Sequence, residues 1–228
     1  YSFQDVAEMI VEFFRGIAAL FSRHPSRGRP PEARRLVLLV IVGTLPLFVV
    51  VLVQDAVESI GNYPAAVSCA LILTGFILFF SDRMGGGRKT ARSATLKDAL
   101  LVGVAQGFAT VPGLSRSGTT ISAGMALGFD RKFAVRFSFL LSLPAVLGAT
   151  VLEVKDVLEQ PGSLPEGMLP KYLLGMVIAG VVGYFAIRLV NLLADKGKFG
   201  AFAYYCWAAG AAFLVLSLMG WTLVPAGA

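Results

Sequence analysis

The sequence predicts an all-α polytopic membrane protein: an inverted repeat with a re-entrant helix–loop–helix. Three observations predict this. The chain is 56% hydrophobic and only 15% charged, against roughly 25% charged in soluble domains. Apolar runs reach or approach the roughly 20 residues that a helix needs to cross a bilayer, and about five of them are present. The basic and acidic loops between the runs alternate only if one segment, about 97–129, enters and leaves on the same side.

Residues 1–21 carry Val6, Ile10, Phe13, Phe14, Ile17 and Leu20 at helical spacing, interrupted by Asp5, Glu8, Glu12 and Arg15. That is too polar for a span and fits a helix lying at the interface. Residues 23–31 form a basic loop broken by proline, in which His24 is a solvated residue. A span is expected over 36–53, with Pro46 inside it, followed by an acidic turn to Pro64 and a second span over 65–80. The next loop, 83–97, holds Arg83, Arg88, Lys89, Arg92 and Lys97. Two apolar arms follow, 99–110 and 121–129, each too short to cross. Further spans are expected over 133–152 (with Pro144), 172–193 and 199–223, and 153–170 is an acidic loop. Trp221 suits an interfacial belt. Cys69 and Cys206 sit in apolar runs as small buried hydrophobes.

Loops 22–35, 83–97, 130–136 and 195–198 are basic, whereas 54–63 and 153–169 are acidic. The basic loops are therefore expected at the cytoplasmic face and the C-terminus at the outer face. The net charge of +6 reports orientation and excludes nucleic-acid binding, since no soluble basic domain exists to carry it. A weak echo joins Gln4-Asp5-Val6-Ala7-Glu8 to Lys155-Asp156-Val157-Leu158-Glu159. It divides a single membrane domain, 1–228, into the remainder of a first repeat (1–94) and a second repeat (95–228). A first re-entrant loop matching the second is then expected upstream of Tyr1.

Between the arms lies Val111-Pro112-Gly113-Leu114-Ser115-Arg116-Ser117-Gly118-Thr119-Thr120. It puts Arg116 at bilayer depth, where a charge costs at least about 2.5–3.5 kcal/mol and marks a functional site. Pro112 ends the first arm, and Gly113 and Gly118 permit positive φ and close backbone approach. Ser115, Arg116 and Ser117 precede a helical run whose free amides face the loop. A helix start with guanidinium and hydroxyls from Ser115, Ser117, Thr119 and Thr120 is an anion cradle, best suited to phosphate. Gln106 and Ser138 are candidates for lining the same cavity. An ordinary solvated turn would use the same residue types, but the arms are too short and the charge alternation would fail. No carboxylate lies deep in the hairpin; Asp98 is at its mouth. With no base, activated nucleophile or metal ligand set in view, these residues supply half of a catalytic site.

The run Pro112-Gly113-Leu114-Ser115-Arg116-Ser117-Gly118, continued by Thr119-Thr120-Ile121-Ser122-Ala123-Gly124-Met125, closely resembles the second signature of the bacterial undecaprenyl-diphosphate phosphatases, the bacitracin-resistance family. Phe137-Ser138-Phe139-Leu140-Leu141, with Pro144 shortly after, is similar to the same family, and the resemblance runs over essentially the whole chain. The resemblance implies an enzyme of the bacterial inner (plasma) membrane. It removes the terminal phosphate from undecaprenyl diphosphate and so recycles the lipid carrier of cell-wall synthesis. It implies two inverted repeats with paired re-entrant loops, Ser115 and Arg116 as the phosphate-binding catalytic pair, and a divalent cation (Mg or Ca).

The family's first signature carries two glutamates, a serine pair and a histidine, and residues 1–228 contain none of it. The nucleophile, the acid–base group and the metal carboxylates are thus expected outside this sequence, as in a truncated chain. The expected partners are the polyprenyl diphosphate and membrane lipids, with a homodimer left open. The rival function is transport or flipping of a polyprenyl phosphate, which needs the anion cradle but no glutamates.

Overall fold

Long apolar runs can satisfy their backbone inside lipid only as helices, and the computed structural model builds helices from all of them. It describes residues 32–84, 87–159, 168–195 and 200–220. The expectations for residues 1–21, His24 and Trp221 lie outside the described residues. The helices are α1 (Glu32–Val51), α2 (Gln54–Ser59), α3 (Pro64–Arg83), α4 (Leu96–Phe108), α5 (Arg116–Ala126), α6 (Arg131–Glu159), α7 (Leu169–Asp195) and α8 (Gly200–Leu218). Five of them, α1, α3, α6, α7 and α8, are long and apolar enough to cross a membrane. The protein is therefore a multi-pass, all-α membrane protein. Most of its large apolar side chains on α7 face outward, as lipid-facing residues do.

The spans follow the sequence closely, with two differences. Helix α1 already includes Glu32, four residues before the apolar run. Helix α6 continues to Glu159, well past residue 152, where the sequence pattern suggests an acidic loop. Lys155 and Glu159 pair at i,i+4 with 3.6 Å between them, and Glu, Lys and Leu are good helix formers in any solvent. Cys206 is buried as expected, whereas Cys69 is exposed on α3.

The short helices α4 and α5 form an antiparallel hairpin whose two ends meet. Gly87 N–H donates to the Phe129 carbonyl at 3.0 Å, Lys89 N–H to Gly128 at 2.9 Å, and Asp130 N–H to Lys89 at 2.8 Å. The chain therefore enters the hairpin and leaves it at the same end, which is the re-entrant geometry that the charge alternation requires. Gly128 makes the closing turn at φ +87°. Phe129 then packs against Phe133 and Phe137 of α6, with ring centroids 4.8 and 5.8 Å away.

Helix α4 packs along α1, where Gly103 lies against the Gly43 backbone too closely for any side chain. Helix α3 packs along α8 through Trp207, whose ring sits 5.0 Å from Phe76 and 5.1 Å from Phe79. Asp82, at the end of α3, ties three elements together. It accepts from Arg131 at 3.0 Å and from the Gly200 amide at 2.5 Å, so it caps the start of α8 while holding the start of α6.

The mouth of the hairpin is built on charge. Thr95 caps α4 in a reciprocal capping box with Asp98, and Lys89 bonds both Asp98 oxygens at 3.0 Å. Burial pushes the Asp98 carboxyl up, but the Thr95 amide and hydroxyl and the Lys89 ammonium outweigh it and hold it below the usual range. A folded-state value below the unfolded one stabilises above about pH 4 and is lost as pH falls through the folded value. Asp98→Asn is therefore expected to lower stability in detergent by about 1–2 kcal/mol at pH 7. Thermal midpoints of the two proteins should converge as pH falls through the folded value of Asp98.

Candidate functional site

The tip of the hairpin is positioned by local chemistry. Helix α4 stops at Phe108, before Pro112 is reached, so the proline is not what ends it. Thr110 Oγ1 donates to the Gly107 carbonyl at 2.7 Å, a local bond that competes with helix propagation. Turns then carry the chain to Gly113, which has φ +95°. A Cβ on Gly113 would collide with the Val67 carbonyl oxygen on α3, so the tip seats directly on that span. Pro112 lies beside Gly61, in the loop before α3. Val67 is sixteen residues from the far end of α3 at Arg83, about 24 Å of helix. The hairpin thus reaches from the basic side almost to the opposite face.

Helix α5 begins inside the glycine-serine run, at Arg116, rather than after it. Ser115 is its N-cap, with its Oγ accepting the Gly118 amide at 3.2 Å. That bond uses a lone pair and leaves the hydroxyl proton free to donate. The amides of Arg116 and Ser117 have no backbone acceptor among the described residues. Both side chains are exposed. The Arg116 side chain is thus not tucked within the hairpin: it is exposed among the described residues, one position after Ser115, whose amide bonds Thr74 of α3. Two free amides, a free hydroxyl proton and a fixed positive charge share one end of an eleven-residue helix, an anion-favouring arrangement.

The remaining candidates divide. Gly118 is helical rather than at positive φ, and it is small because Leu78 and the Ser115 hydroxyl crowd its Cα. Thr119 Oγ1 is buried with no partner. The Thr120 hydroxyl points into the protein, bonding the Arg116 carbonyl at 2.9 Å and Ser138 Oγ on α6 at 2.6 Å. Thr120 and Ser138 are 1% and 4% exposed, so this pair joins α5 to α6 and does not face the anion cradle. Gln106 is 1% exposed, and neither amide atom finds a partner among the described residues.

Thr74 on α3 carries no signal in the sequence beyond a hydroxyl in an apolar stripe. Its Oγ1 accepts the Ser115 amide at 3.1 Å, and its proton has two acceptors, the carbonyls of Ala70 at 3.1 Å and Gly113 at 3.2 Å.

Among the described residues no group of three or more His, Cys, Asp or Glu is gathered to hold a metal. Guanidinium, amides and hydroxyl protons are donors to anions and do not fit a cation. The divalent ion implied by the sequence resemblance has no ligand set here.

Gly113→Ala is expected to cost about 1–3 kcal/mol, from positive-φ strain together with displacement of the tip from α3. A lowered thermal midpoint in detergent, with the helical signal retained, is the measurement.

The comparisons with known proteins bear on this site directly. A family model described as bacitracin resistance protein BacA matches residues 1–212, which include the whole hairpin. A relative called undecaprenyl-diphosphatase from Carboxydothermus hydrogenoformans is 41% identical over 187 residues, covering 82% of this chain and 72% of that one. A relative of the same name from Methanobrevibacter smithii is 38% identical over 209 residues, 90% of this chain and 74% of its own. The one from Methanothermobacter thermautotrophicus is 39% identical over 185 residues and is covered along its full length, against 79% of this chain. The chain belongs to the BacA family of bacitracin resistance proteins.

Proposed function

We infer that this protein is an undecaprenyl-diphosphatase, hydrolysing undecaprenyl diphosphate to undecaprenyl phosphate and inorganic phosphate. The observation that carries this is the start of α5. There Arg116, the Arg116 and Ser117 amides, which have no acceptor among the described residues, and the Ser115 hydroxyl occupy one helix end, inside the region matched by the family. Relatives bearing that enzyme name align over most of the chain.

The reaction breaks the bond between the terminal phosphorus and the bridging oxygen. Water contributes oxygen to the released phosphate, and the lipid phosphate leaves. Negative charge grows on the bridging oxygen and on the oxygens of the transferred group. Arg116 would pair bidentately with the terminal phosphate, and the amides of Arg116 and Ser117 would point at the same oxygens. Ser115, fixed as the N-cap, would donate its free proton. These groups bind, orient and neutralise; none of them abstracts a proton. We assign attack and proton transfer to groups outside the described residues. The enzyme would work in the bacterial inner membrane, in the recycling of the cell-wall lipid carrier.

Arg116→Ala in the full-length protein is expected to lower kcat/KM for phosphate release at least 100-fold. Arg116→Lys should recover only part of it, because an ammonium cannot form the two parallel bonds. Unchanged release from Arg116→Ala would remove Arg116 from the site. Chelation with EDTA is expected to abolish release, with Mg or Ca restoring it; undiminished release in chelator would exclude the divalent ion.

A further inference from the structure

We propose that Thr74, on span α3, is a positioning residue that decides which backbone amides of the anion loop are offered to substrate. This rests on the phosphatase reading of the α5 start. The loop that joins α4 to α5 presents three consecutive amides near the anion, those of Ser115, Arg116 and Ser117. In isolation all three would be available, because a helix N-terminus leaves its first amides unpaired. Thr74 removes the first of them: its Oγ1 accepts the Ser115 N–H at 3.1 Å. Its single proton lies between two acceptors, the Ala70 carbonyl at 3.1 Å and the Gly113 carbonyl at 3.2 Å. One side chain therefore spans the turn from Gly113 to Ser115, and the amides left over are those of Arg116 and Ser117.

The clamp is rigidly held. Thr74 is 1% exposed and sits in the middle of α3, with its backbone inside a regular helix. Gly113 is pressed onto the same face of α3, against Val67 and Ala70. On the opposite side of α5, Ser138 of α6 bonds Thr120, which in turn reaches the Arg116 carbonyl at 2.9 Å. The first turn of α5 is thus pinned from two spans, by Thr74 at its cap and by Ser138 through Thr120. Arg116 lies between the two pins. Thr74 itself has no proton to spare for a phosphate once these bonds are made, so its effect on the reaction passes through the loop.

Replacing the hydroxyl by a methyl group of similar volume tests this. Thr74→Val in the full-length enzyme leaves the Ser115 amide free and the Gly113–Ser115 turn unclamped. The expected result is a kcat at least 10-fold lower, with KM for undecaprenyl diphosphate changed less than 3-fold and recovery of most of the kcat in Thr74→Ser. Wild-type kcat in Thr74→Val, or failure of serine to rescue it, would overturn the proposal. Amide hydrogen exchange on the unsubstituted protein gives a second readout that does not depend on the variant folding. The Ser115 amide should exchange much more slowly than those of Arg116 and Ser117, and equal rates overturn the clamp. If Arg116→Ala keeps full activity while Ser115 is protected, the clamp stands and the phosphatase assignment of this loop fails instead.

Discussion

A non-helical stretch of backbone held at bilayer depth has to find partners for its amides and carbonyls within the protein, and the tip of this hairpin is built around that requirement. Unpaired backbone groups in hydrocarbon cost several kcal/mol each. Between Phe108 and Arg116 the chain meets this with local turns, with the Thr110 hydroxyl on Gly107, and with Thr74 reaching across from α3. Among the described residues the amides of Gly113, Arg116 and Ser117 find no acceptor. An anion beside the positive charge of Arg116 would satisfy the last two of these better than water does.

The rest of the fold serves to hold this loop in place. The backbone bridge between residues 87–89 and 128–130 closes the hairpin at its base, and Lys89 with Asp98 locks the mouth. Asp82 joins the ends of α3, α6 and α8 on the same side. The aromatic cluster of Phe129, Phe133 and Phe137 anchors the exit strand to α6. Polar contacts therefore concentrate at the basic ends of the helices and at the hairpin tip. The faces between them are apolar and interchangeable with lipid.

Much of this is legible in the residues themselves, because lipid leaves so few alternatives. Run length finds the five spans, and the alternation of basic and acidic loops finds the return of the hairpin without any knowledge of contacts. The Pro-Gly-x-Ser-Arg-Ser-Gly run locates the hairpin tip and the loop proposed to hold the anion. What the sequence conceals is orientation within the site. Gly113 and Gly118 look equivalent, yet one occupies a positive-φ turn and the other a crowded helical turn. Thr120 looks like a ligand hydroxyl but turns inward to Ser138, since a 100° step around α5 separates neighbours. Thr74 is hidden because its importance depends on a contact 41 residues away. The continuation of α6 beyond the apolar run reflects helix propensity acting where hydropathy has no say.

The hairpin is fastened at both ends: its base to a backbone bridge on the basic side, its tip to α3 and to the loop at Gly61 on the other. A strut pinned in this way cannot slide along the membrane normal, and only sideways tilting remains open to it. The start of α5 then keeps a constant height in the bilayer. Vertical travel falls to the amphiphile, whose charged head must sink below the interface to be cleaved and rise again to be released.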